Sequence, residues 1–233
     1  MTSLKSQFKY IDRGFGDLLV LIPGWATDYK VFLNLNLNYN YLLPTKLYPF
    51  DFTKALLNEL KKMHIEKISL FGWSLGGFLA AEFASINYKM INEVILLGIC
   101  KKFDSSSLKA IKLSLKKNKR AFLYKFYHDC FSKDDSEAFA WFRKNLLKEY
   151  IDKIKLEDLI SGLNYLMKAE ILPQSLENLH KVRILHGAKD KIVPLKEAIA
   201  LKSEITHAEF ICLEHTGHML FLDQQFKGGF HNG

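Results

Sequence analysis

A chain of 233 residues has room for one large α/β domain with a full core, and is short for two independent domains of ordinary size. Hydrophobic residues make up 48% of it, which excludes a disordered chain, and no apolar run approaches the roughly 20 residues of a membrane span. The net charge of +8 leaves nucleic acid, an anionic surface, an acidic protein or a plain lysine-rich exterior to be told apart by where the charge falls.

Residues 5–11 read as a short opening strand, with Gly14 and Gly16 marking the turn after it. The continuous apolar run 18–22, stopped by Pro23-Gly24, reads as a strand buried on both faces. A loop, Trp25-Ala26-Thr27-Asp28, follows it. Residues 47–51 suggest another strand end, and 53–63 carry a helical pattern through Leu56, Leu57, Leu60 and Met63, capped by Thr53 or Asp51. Residues 67–71 form a strand that runs into Gly72-Trp73-Ser74-Leu75-Gly76-Gly77 and then into a small-residue helical stretch, 78–84. The next buried strand is expected at 94–98, so strands and helices alternate as in a parallel sheet.

Between 101 and 181 the pattern changes to amphipathic helices, through Leu108, Ile111 and Leu115, then Phe139, Phe142 and Leu146, then Leu156, Leu159 and Leu163. This reads as a helical cap inserted into a core made of 1–100 and 182–233. Its aromatic residues, Phe122, Phe126, Phe139 and Phe142, either line a pocket for an acyl chain or form the cap's own core. Strands resume at 182–187 and 209–213, and 227–233 reads as a loose tail without periodicity, with its being native left open.

The stretch around Ser74 matches G-x-S-x-G, a short pattern that occurs by chance in loops and gains meaning only between a strand and a helix. There the serine sits on a strained turn with its hydroxyl above the sheet, and glycines let strand and helix fold back closely. A serine hydroxyl needs a base to take its proton and a carboxylate to orient that base. Ser74, Asp190 and His218 stand in the chain order expected for such a sheet, each just after a strand. His215 is the competing base and Asp104 the reserve acid; Gly217, which permits a tight turn, favours His218. The N–H groups of Leu75 and Trp25 are the candidate oxyanion donors.

The three cysteines, Cys100, Cys130 and Cys212, are widely spaced and read as thiols in a reducing compartment. Residues 1–7 lack the apolar core of a secretory signal, so a cytoplasmic location is expected. His215 and His218 lack the further ligands of a metal site, no motif asks for a cofactor, and a monomer is expected.

With these residues the sequence resembles the α/β-hydrolase family over nearly its whole length, least in the helical insert. Within it, Leu21-Ile22-Pro23-Gly24-Trp25-Ala26-Thr27-Asp28, Phe71-Gly72-Trp73-Ser74-Leu75-Gly76-Gly77 and His186-Gly187-Ala188-Lys189-Asp190-Lys191-Ile192-Val193-Pro194 look most like the esterase of biotin synthesis that removes the methyl group from pimeloyl-carrier-protein methyl ester. Pro23 departs from the histidine that many relatives have before the glycine of the oxyanion loop. The resemblance implies a serine carboxylesterase acting on an acyl ester, with a broad carboxylesterase, an acyl thioesterase or a non-catalytic ligand-binding relative as alternatives. A dehalogenase is disfavoured, since its nucleophile is a carboxylate and position 74 is serine.

Charge bears on the partner. Between Ser105 and His128 stand seven basic residues and no acidic one, and Lys109, Lys112 and Lys116 fall on one helix face, with Lys117 and Arg120 nearby. Such a face suits an acidic acyl carrier protein, or is simply a solvated lysine-rich surface. Nucleic acid is not expected, because no reading motif accompanies the charge.

Overall fold

A computed structural model describes residues 7–223 and 226. Its centre is a seven-stranded sheet of β1 (Phe8–Ile11), β2 (Leu18–Ile22), β3 (Asn40–Pro44), β4 (Ile68–Trp73), β5 (Ile91–Leu97), β6 (Val182–Gly187) and β7 (Glu209–Leu213). The strand order is β1-β3-β2-β4-β5-β6-β7, with β1 antiparallel to β3 and every other pair parallel. Every residue of β2 and β4 is buried, which is why both read as unbroken apolar runs: helices cover both faces of a parallel sheet.

The chain leaves β2 for β3 on one side and returns to β4 on the other, so the order reverses between β2 and β4. Loops leaving the carboxyl ends of two such strands part to opposite faces and open a crevice between them. The loop 24–28 and the turn at Ser74 leave from those two strands.

Helices α1 (Phe52–Lys62) and α2 (Leu75–Ile86) flank the sheet. α1 buries Phe52, Leu56 and Leu60 along one stripe, whereas α2 is apolar nearly all round and lies almost wholly inside. Between β5 and β6 the described elements are all helical: α3 (Ser105–Asp129), α4 (Ser136–Phe142), a π-helical turn at Arg143–Leu147, α5 (Lys148–Lys153) and α6 (Leu156–Leu166). α3 breaks at Asn118, whose backbone is non-helical (φ −156°, ψ 89°) and whose side chain accepts the Ala121 N–H at 3.0 Å, capping the second half. α7 (Leu195–Glu204) joins β6 to β7.

Three local expectations change. The strand placed at 47–51 lies instead at Asn40–Pro44, and Pro49–Asp51 is a short 3-10 turn. β3 hides in the sequence because it opens on a polar residue, Asn40, whose buried amide bonds the backbone of Arg13 and Phe15. At the start of α1 neither Asp51 nor Thr53 caps: Asp51 makes no capping bond, and the Thr53 hydroxyl bonds Glu82 at 3.2 Å. The sequence-read tail, 227–233, lies outside the described residues. Among those described, no helix is long and apolar enough to cross a membrane.

Candidate active site

Ser74 occupies the single residue between β4 and α2, with φ 54° and ψ −118°. A non-glycine residue holds such a backbone only when its surroundings force it, at a cost of roughly 1–3 kcal/mol. The forcing contact is visible at Gly76, where an added Cβ would lie 2.2 Å from the carbonyl oxygen of Ile22. α2 is thus pressed onto the end of β2, and the chain must reverse sharply at Ser74. The Ser74 N–H donates to the Leu97 carbonyl at 2.8 Å, fastening the turn to the end of β5.

His218 and Asp190 meet at the same edge. His218 Nδ1 lies 2.6 Å from Asp190 Oδ2, and both side chains are fully buried. The other carboxylate oxygen, Oδ1, accepts the N–H groups of Ile192 (2.7 Å) and Val193 (2.9 Å), so the loop after β6 presents Oδ2 in a fixed direction. The Trp73 indole N–H donates to the His218 carbonyl at 2.8 Å. On the other side, an added Cβ at Gly98, next to Leu97, would lie 2.9 Å from His218 Nδ1. Residues adjoining both Ser74 and its β5 partner therefore touch His218. His218 Nε2 is buried and makes no hydrogen bond among the described residues, including to Ser74. Contacts of this kind are often long until substrate is bound.

The two reserve residues lie elsewhere. Asp104 is exposed at the start of α3, where it accepts the Ser107 N–H at 2.7 Å and the Ser106 hydroxyl, and these bonds hold its carboxyl well below the usual range. The His215 ring is exposed and faces Asp134 at 3.7 Å.

Facing Ser74 across the switch point is the loop after β2. Its backbone is also strained, with Ala26 at φ 61°. Leu75 N–H lies in the first turn of α2, where donors lack intrahelical acceptors and the helix dipole favours negative charge. The Trp25 N–H, in the facing loop, donates no hydrogen bond among the described residues.

Neither family models nor curated proteins match the sequence. Solved structures do match the fold. An esterase from Exiguobacterium antarcticum is 20% identical, with TM-score 0.78 over 95% of this chain and 92% of that one. An α/β-hydrolase enzyme from a Medee basin deep-sea metagenome library is 17% identical, with TM-score 0.79 over 97% and 94%. The enol-lactonase from Burkholderia xenovorans is 14% identical, with TM-score 0.78 over 96% and 92%. The chain has the α/β-hydrolase fold. At such identities the likeness carries the fold, and the chemistry rests on the residues of the site.

On this α/β-hydrolase sheet the helical insert is fastened over the loop after β2 by three side chains. The Trp25 indole N–H donates to the Leu159 carbonyl at 2.9 Å, the Tyr127 hydroxyl to the Ala26 carbonyl, and the Tyr150 hydroxyl to Asp28 Oδ1 at 2.8 Å. Burial pushes both phenols up, so they stay protonated donors. A cavity of about 260 Å³ beside Tyr150 is lined by Trp25, Thr27, Leu75, Tyr150, Leu159 and Gly162, with Lys46, Lys153, Glu149 and Asp158 also on its wall. The four phenylalanines read from the sequence do not line it. Phe142 is fully buried against Tyr127, Phe131 and Tyr150, and Phe122 and Phe126 stand edge-on to Trp25.

Two further residues, with little local signal in the sequence, stand against the His218 backbone and Asp190. Asp135, from the insert, holds the backbone before His218. His186, at the end of β6, is fully buried, with Nε2 2.9 Å from the Val193 carbonyl and 3.6 Å from Asp190 Oδ2. Its motif position, four residues before Asp190, is the only signal sequence offers. Burial holds the His186 imidazole below its usual range, against the opposite pull of Asp190 and with a smaller push from His218. The unfolded chain therefore binds a proton that the folded chain does not. Stability is complete above the unfolded value of about 6.5 and is lost as pH falls below it. Urea midpoints are expected to drop between about pH 7.5 and 5, and His186→Gln to shrink that drop; an unchanged pH dependence in the variant would remove His186 as its source.

Proposed function

We propose that the chain is a serine carboxylic-ester hydrolase. The observation that carries this reading is the strained serine at the strand-to-helix turn beside a fully buried, hydrogen-bonded His218–Asp190 pair. Packing of α2 on β2 holds the turn at Ser74 in its strained form, and His218 is set apart by its hydrogen bond to Asp190, since His186 Nδ1 is, like His218 Nε2, buried without a partner among the described residues.

In this reading the Ser74 hydroxyl attacks the ester carbonyl and passes its proton to His218 Nε2, while Asp190 keeps the proton on Nδ1 and stabilises the imidazolium. The N–H groups of Leu75 and Trp25 hold the developing oxyanion. Collapse expels the alcohol, which takes the proton from His218. Water, deprotonated by the same ring, then releases the acid. The cavity beside Tyr150 and Leu159 has Trp25 and Leu75, the residues of both proposed oxyanion donors, on its wall, while Ser74 and His218 do not line it. An esterase and an enol-lactonase among the structures of this fold fit the same reaction class.

The test is covalent labelling with a fluorophosphonate together with turnover of short para-nitrophenyl esters. Labelling mapped to Ser74 and ester turnover are the expected results; a protein with neither is not a hydrolase of this kind.

The finer reading is demethylation of an acyl methyl ester, pimeloyl in the nearest resemblance, carried by an acidic acyl carrier protein. It is favoured by the basic face of α3. Lys109, Lys116 and Lys117 are exposed and make no ion pair among the described residues. Lys112 bonds Asn164 at 2.7 Å and Arg120 pairs with Asp152, so these two are tied to the insert itself. Leu113, 70% exposed, adds an apolar contact to the lysine face. Changing Lys109, Lys116 and Lys117 together to Glu is expected to lower kcat/KM for a carrier-bound ester at least about tenfold at low salt, with short free esters unaffected. An equal loss on both substrates would sink the docking reading.

A further inference from the structure

The loop that carries His218 is held from one side by the helical insert. The Cys130 carbonyl accepts the N–H of His218 at 2.7 Å and that of Met219 at 3.2 Å. Asp135 Oδ2 accepts the Gly217 N–H at 2.6 Å and the Ser132 N–H at 2.8 Å, and the Ser132 hydroxyl donates to the His215 carbonyl at 2.6 Å. The approach is backbone against backbone. A Cβ at Gly217 would lie 2.7 Å from the Cys130 oxygen and 2.8 Å from the Ser132 nitrogen.

Asp135 stands at the N-cap of α4 and makes no capping bond there, although an aspartate in that place ordinarily accepts from the first turn of its helix. Its carboxylate is instead turned away from α4 and buried, 4% exposed, against Gly217. Burying a carboxylate costs free energy unless hydrogen bonds offset it. Burial pushes the Asp135 carboxyl up while the two backbone N–H groups pull it down. A helix cap exposed to water would avoid that cost, so the arrangement asks for another reason.

We propose that Asp135 is a positioning residue for His218. By holding the Gly217 N–H while Cys130 holds the next two, it sets the depth and tilt at which the imidazole meets Asp190 and reaches towards Ser74. The proposal rests on the reading of Ser74 and His218 as the reacting pair. It makes the insert part of the mounting of the base as well as a cover over the oxyanion loop. Displacement of a reacting group by about 1 Å costs up to 100-fold in rate, which is the size of effect at stake.

The test is kinetics of Asp135→Ala and Asp135→Asn on para-nitrophenyl acetate, with kcat counted per fluorophosphonate-titrated site so that unfolded protein does not enter. Asp135→Ala is expected to lower kcat about 10- to 100-fold with KM within about twofold, whereas Asp135→Asn, whose carbonyl accepts the same two N–H groups, stays within about threefold of the parent. A purely structural role would lower the melting point and leave kcat per site unchanged, and that result overturns the proposal. So does an Asn variant as slow as the Ala variant. Should Asp135→Ala not fold, Gly217→Ala, which forces the same two loops apart, must show the same loss of kcat or the proposal falls. If the parent protein neither hydrolyses esters nor takes the label, the hydrolase reading has failed. The positioning role is then judged on the His218 ring nitrogens by ¹⁵N NMR, which Asp135→Ala must shift and Asp135→Asn must not.

Discussion

Replacing Ser74 with alanine is expected to lower kcat for short ester hydrolysis by at least about 10⁴-fold and to abolish fluorophosphonate labelling, with the fold retained. The hydroxyl is the only group on the turn able to form the acyl-enzyme, and a methyl in its place leaves water to attack an ester held only by the oxyanion donors. Stability should move in a telling direction. Ser74 is held at φ 54°, so Ser74→Gly relieves backbone strain that Ser74→Ala keeps, and the glycine variant should be the more stable of the two by about 1 kcal/mol. Urea midpoints of the two variants measure this. Residual turnover in Ser74→Ala comparable to the parent would place the reaction at another group.

Asp190→Asn is expected to cost about 10³- to 10⁴-fold in kcat, with little change in KM. The physical reason lies in three bonds made by one carboxylate. Oδ1 accepts from Ile192 and Val193, so an asparagine keeps its carbonyl oxygen there and turns its NH₂ towards His218 Nδ1. A donor facing Nδ1 drives the ring proton to Nε2, the atom that must accept from Ser74. The variant should therefore fold with the base in the wrong tautomer, visible in the ¹⁵N shifts of the His218 ring, and should recover part of its rate as hydroxide replaces the lost base at high pH. A rate within tenfold of the parent would exclude Asp190 as the orienting acid.

Much of this site was legible in the chain because its signals are local. An unbroken apolar run, a punctuating glycine and a polar residue just past a strand are consequences of backbone sterics and burial within about ten residues. They located β2, β4, β6 and β7 and the three polar residues that follow them. Asn40–Pro44 carries no such local signal, because its buried asparagine satisfies the backbone of residues 13 and 15, a demand that exists only after β1 and β3 have paired. The phenylalanines of the insert are readable as apolar and nothing more; whether any lines the cavity depends on how α3, α4 and α5 pack, and Phe142 fills that packing.

The strand-turn-helix at Ser74 and the order Ser74, Asp190, His218 were determined by sequence alone, because each rests on short-range geometry that few residue types permit. What only the tertiary structure decided is the long-range pairing. It joined His218 to Asp190 while leaving His215 exposed towards Asp134 and Asp104 at the start of α3, placed Trp25 and Leu75 on the wall of one cavity, set His186 behind Asp190, and set Asp135, 82 residues before Gly217, against the backbone next to His218. These contacts join segments whose separation in the chain carries no periodic or compositional trace. They arise where the reversal of strand order between β2 and β4 lets loops from distant strands, and the insert above them, converge on one edge of the sheet.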